Sequence, residues 1–190
     1  MDIQKINWKI YIENPDKTRP DDFFKVFNSW IPASPEIFID VADYQHVQDG
    51  PLTVLVGHDA DYWLDATDRR VGLLYNHRQP MEGSNAQKLQ RTFVDALSAA
   101  RRLEREAELG GRIRFRTDEF LFLINDRGLA PNTGQTYTGL KPDMEEWAAG
   151  IFGKNSFSLD HQSQPQKRFS VKITSLHKNP LDSLLKKLGA

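Results

Sequence analysis

Residues 36–78, "EIFIDVADYQHVQDGPLTVLVGHDADYWLDATDRRVGLLYNHR", decide the fold. Short β-rich runs at 36–42, 52–57, 61–65 and 70–76 are separated by turn residues: Asp49-Gly50-Pro51, the bend "GHDAD" and the turn "DATDRR". Strands that follow one another directly, without a helix between each pair, predict an α+β fold with a mostly antiparallel sheet. Helices should then cover mainly one face.

Outward from this block, Ile6, Trp8, Ile10 and Ile12 alternate with Asn7, Lys9 and Tyr11, the period of a half-buried strand. Thr18, Pro20, Asp21 and Asp22 open a helix carrying Phe23, Phe27, Trp30 and Ile31, which should stop before the prolines of "IPASPE". Residues 84–109 read as a long helix with a Ser84–Gln87 capping box and a stripe through Leu89, Phe93, Leu97 and Leu103. "RIRFR" and "EFLFLIN" suggest a hairpin turning at Thr117 and Asp118, followed by a helix that starts at Pro142. Strands at 156–160 and 168–174 flank the polar loop "HQSQPQK". The expected organisation is one globular domain over 1–175 and an amphipathic helical tail over 176–190, with Asn179 as its cap.

Composition removes several functions. With 190 residues, 39% of them hydrophobic, the chain can bury a core without staples. A net charge of −1 creates no long-range field for nucleic acid or an anionic membrane, so neither partner is expected. The absence of cysteine excludes disulfides, thiolate zinc sites and cysteine nucleophiles, and fits a cytoplasmic protein. No segment reaches the roughly 20 apolar residues of a membrane span, and the charged N-terminus has no leader-like apolar stretch.

Residues 40–68 hold seven aspartates and two histidines. Asp49, Asp59, Asp61, Asp65 and Asp68 border turns or a short strand, where Asx side chains cap backbone amides. Asp40 differs: Phe38 and Ala42 share its strand face, and Ile37, Ile39 and Val41 make the opposite face apolar, so it is expected to be buried and partnered. Asp40, Asp43 and His46 are therefore the candidate acid–base residues. His46, His58, Asp43 and Asp59 match no defensible ligand spacing, so no metal and no cofactor is expected.

Two segments share a second pattern. "GLLYNHRQP" and "LFLINDRGLAP" each run an apolar strand into Asn-x-Arg before a helix, making Asn76, Arg78, Asn125 and Arg127 candidate binding residues for a small anionic ligand. The six arginines between Arg101 and Arg116 offer an anion-receptive face, or a solvated face neutralised by neighbouring glutamates. These features favour a non-catalytic binding or assembly module with a protein partner or a second copy of itself. The alternatives are a small enzyme acting on a phosphorylated or carboxylated metabolite, and an RNA-binding protein.

Overall fold

The computed structural model describes residues 1–190. Eight strands, β1 (Ile6–Ile12), β2 (Phe38–Asp43), β3 (Pro51–Gly57), β4 (Ala60–Asp65), β5 (Gly72–His77), β6 (Phe115–Ile124), β7 (Phe157–His161) and β8 (Phe169–Ser175), form one antiparallel sheet. Their order is β2-β3-β4-β5-β1-β6-β8-β7. Four helices, α1 (Pro20–Ala33), α2 (Asn85–Arg105), α3 (Gly134–Phe152) and α4 (Leu181–Lys187), complete the α+β fold. No helix is long and apolar enough to cross a membrane.

Alternation along the strands divides the sheet into two unlike faces. Trp8 and Ile10, Tyr62 and Leu64, Leu73 and Tyr75, Phe120 and Phe122, and Val171 and Ile173 join the helices in the main core. α1 lies over β2 and β3, α2 over β1 and β5, and α3 over β7. Trp8 shows how tightly this side is closed: its ring meets Phe93, Phe122 and Trp147 at 4.8–5.2 Å, and its Nε1 donates to Thr92 at 2.9 Å. α4 packs Leu181, Leu184 and Leu185 into the same core against α2.

The opposite face carries no helix. One cross-strand row runs Ala42, Val54, Trp63, Leu74, Lys9, Leu121, Lys172, Asp160 across all eight strands. Tyr11, Val54, Leu74 and Leu123 are buried on this side yet stand apart from the main cluster.

Three local expectations are corrected. Residues 115–124 form one strand, with no turn at Thr117 and Asp118, because Phe120 pairs with Ile10 and Phe115 with Ile12; a bulge absorbs the extra residues. α3 begins at Gly134, where Thr133 Oγ1 accepts from the Thr136 amide at 3.2 Å, and Pro142 lies inside the helix. Burial of Leu140 and Met144 on either side of that proline outweighs its lost hydrogen bond. α1 likewise runs past Trp30, with Pro32 in its last turn.

Candidate functional site

The expected acid–base group lies apart from any enclosed cavity. β2 is an edge strand, so Asp40 is exposed and its Oδ1 caps the Val41 amide at 2.8 Å. The expectation of a buried Asp40 is thus corrected. Ile37 and Ile39, counted as a buried stripe, are 68% and 62% exposed. Asp43 accepts from the Gln45 amide at 2.8 Å, and the exposed His46 ring stacks on Tyr44. Nothing links Asp40 to a buried cation, so Asp40→Ala is expected to stay within about 0.5 kcal/mol of wild type in a urea melt. A loss above about 2 kcal/mol would show that the edge is covered in solution.

The buried acids are Asp61 and Asp65 on β4, an interior strand. Asp61 accepts from Asn76 Nδ2 at 2.9 Å, from the Gly57 amide at 3.2 Å and from Arg78 Nη1 at 3.3 Å. Arg78 also donates to the Gly57 carbonyl at 3.1 Å, and Asn7 Nδ2 lies 2.8 Å from Asn76 Oδ1. Asn76 and Arg78 thereby hold the β3–β4 turn. Asn125 is exposed at the end of β6, with its amide on the Lys5 carbonyl at 2.9 Å. Of the four Asn and Arg candidates, Arg127 alone lines the cleft described next.

A cavity of about 540 Å³ opens on the helix-free face. Lys9, Leu74, Leu121, Leu123 and Ser170 make its floor; one wall is the 3-10 turn Thr67–Arg69 and the other is the β7–β8 loop, residues 162–168. At the base Lys9 pairs with Asp65, both side chains 4% exposed or less, and donates to the Thr67 carbonyl at 3.1 Å. Burial pulls the Lys9 ammonium below its ordinary range and outweighs the attraction of Asp65. Beside it, Arg70 lies 3.6 Å over the Tyr11 ring and pairs with Glu119.

The far wall is held by one buried amide. Asn132 Nδ2 donates to the carbonyls of Gln162 and Gln164 at 2.9 Å and of Arg168 at 3.3 Å. Its Oδ1 must then accept, and His161 Nε2 meets it at 2.7 Å, which assigns the imidazole proton to Nε2. The His161 ring is sandwiched between Tyr137 at 5.0 Å and Phe169 at 5.3 Å, and burial lowers its basicity.

Arg168 and Arg127 face this cavity together. The half-buried Arg168 guanidinium makes no ion pair and no hydrogen bond. Burial draws it below the ordinary arginine range, Asp65 opposes that, and Arg127 adds to it. Arg127 donates only to the Gln166 carbonyl. The arrangement is a concave site of ligand size with two like charges and no counter-ion of their own.

The arginine-rich stretch behaves otherwise. Arg101 and Arg105 pair with Asp182, Arg102 with Glu106, Arg112 with Asp22 at 2.7 Å, and Arg116 with Asp118 at 3.0 Å, while Arg114 bonds a neighbouring carbonyl. Five of the six are thus engaged by carboxylates, Arg101 and Arg105 sharing Asp182.

Comparison of the chain with known protein families and with curated proteins returns no match.

Proposed function

We propose that this protein is a non-catalytic binding module that holds an anionic group, carboxylate or phosphate, in the cleft on the helix-free face of the sheet. The observation that carries this reading is the pair Arg127 and Arg168, facing one cavity without a carboxylate partner for either. Guanidinium groups stay charged at any physiological pH and bind planar anions through a fork of N–H donors, so they are suited to gripping and poorly suited to moving protons. Lys9, the group with a lowered proton affinity, is engaged by Asp65.

Thermal melts in acetate or phosphate at constant ionic strength test the reading. An anion at ten times its dissociation constant stabilises the folded state by about 1.4 kcal/mol, a rise of roughly 3–6 °C for a chain of this size. Arg168→Ala should remove that rise and leave the melting temperature without anion unchanged or higher, since it relieves an uncompensated half-buried charge. An equal rise in wild type and variant would place the anion elsewhere and refute the proposal.

A further inference from the structure

Resting on that reading, we infer that the anion is a side-chain carboxylate on an extended acidic segment of a partner protein, and that the cleft is a protein-docking surface. Charge distinguishes the ligand classes. The cavity lining holds six Lys and Arg residues, but Asp49, Asp65 and Asp68 stand among them. A nucleic acid strand or a polyphosphate would bring its repeated charges against those three carboxylates. A segment carrying single carboxylates spaced by apolar residues meets a cation at one position and something else at the next.

The remainder of the site matches such a segment. Leu74, Leu121 and Leu123 give the floor an apolar strip for aliphatic side chains. The side-chain amides of Gln164 and Gln166 line the wall without hydrogen-bond partners, and an amide offers both donor and acceptor to a peptide backbone. Along the same face the row continues from Leu74 into Trp63 and Val54; Leu74 and Val54 are buried and Trp63 is half-buried, so Trp63 is the accessible part of the apolar strip beyond the cleft. Buried apolar contact with arginine anchors is the composition of a protein interface core. At the mouth Lys167 pairs with Asp68 from the opposite wall, both about half exposed. An incoming carboxylate can replace Asp68 on Lys167 at little cost, because an exposed pair of this kind contributes less than about 1 kcal/mol.

The test uses the full chain and four probes: a capped octapeptide with glutamates four positions apart, leucine midway between them and serine elsewhere, so that one extended face presents glutamate and leucine in turn, its glutamine counterpart, inorganic phosphate and a uridylate oligonucleotide. Fluorescence anisotropy should show the acidic peptide binding at least about tenfold more tightly than the glutamine peptide, and Arg168→Ala should lose about tenfold, with Arg168→Lys between. Arg105→Ala, on the Asp182 pair remote from the cleft, should bind as wild type. Phosphate that stabilises through Arg168 while the acidic peptide neither binds nor displaces it would overturn this inference and leave the anion site standing. Tighter Arg168-dependent binding of the oligonucleotide would also overturn it. If no probe responds to Arg168, the anion site itself fails.

Discussion

Replacing Asp65 by alanine is expected to destabilise the fold by about 3–5 kcal/mol, because it leaves the Lys9 ammonium buried without a counter-charge. The protein has one escape, which is to fold with Lys9 neutral. Giving up that proton at pH 7 costs about 1.4 kcal/mol per pH unit below a free lysine's pKa, or about 5 kcal/mol over roughly 3.5 units. The escape therefore sets the same ceiling as the unpaired charge. Lys9→Met with Asp65→Leu removes both charges at similar volume and is expected within about 2 kcal/mol of wild type, so the two sites should be strongly non-additive.

The pair also has a signature in alkali. Because burial lowers the Lys9 pKa from 10.5, the unfolded chain binds more protons than the folded one just below that value, and this residue adds stability as pH rises through the window. Tyr11 works in the opposite sense: burial pushes it up to about 12, so above pH 10 the unfolded chain loses a proton that the folded chain keeps, and stability falls. Lys9→Met should consequently show a steeper alkaline loss than wild type in urea melts between pH 9 and 11. A cost below about 1 kcal/mol for Asp65→Ala, with an unchanged alkaline profile, would mean that the pair is hydrated in solution.

Strand periodicity made most of the sheet legible. Ile6, Trp8, Ile10 and Ile12 do face the helices, and Ser84 and Gln87 do form the reciprocal cap that opens α2. What periodicity cannot show is the position of a strand in the sheet, which depends on pairings far apart in sequence. Apolar residues on both faces of the strand predict a buried Asp40, yet β2 has a neighbour on one side only and Asp40 is exposed. Lys9 sat at a regular polar position and read as solvent-facing; β1 is central, so the same position is buried, and its partner lies 56 residues away. A lysine at mid-strand with a carboxylate at a matching polar position of another strand was the available signal.

The cleft was less legible. Arg127 emerges from the Asn-x-Arg pattern, but its companion there is Arg168, which stands between the loop "HQSQPQK" and the start of β8, and not Arg78. Nothing local to Arg168 distinguishes it from a surface arginine. Its setting depends on a loop whose carbonyls Asn132, some 30 residues earlier, ties down from below, alongside the Arg127 contact to Gln166 and the Lys167–Asp68 pair.

That dependence makes Asn132 the residue whose loss should separate binding from folding. Asn132→Ala leaves the Arg168 carbonyl and the His161 Nε2–H without a partner around a position only 4% exposed, while the Gln162 and Gln164 carbonyls keep only the loop amides of Gln164 and Lys167 at 2.9 and 2.8 Å. Each unsatisfied buried group costs about 1–3 kcal/mol, but loop carbonyls can turn toward water if the loop lifts, so the expected loss is about 2–4 kcal/mol and not the sum. The lifted loop carries Arg168 away from Arg127, and the anion-dependent rise in melting temperature should vanish with it. Asn132→Asp is the sharper variant: it has the same shape and still accepts from His161, but it turns an acceptor toward three acceptors, so its cost should be no smaller than alanine's. Amide hydrogen exchange locates the effect. Protection should fall at Gln162, Gln164 and Lys167, whose amides now bond within the loop or to β8, while the β1 and β6 amides keep theirs. If exchange across residues 162–168 and the anion response both survive Asn132→Ala, the wall of the cleft is held by something else, and the arginine pair does not owe its geometry to this amide.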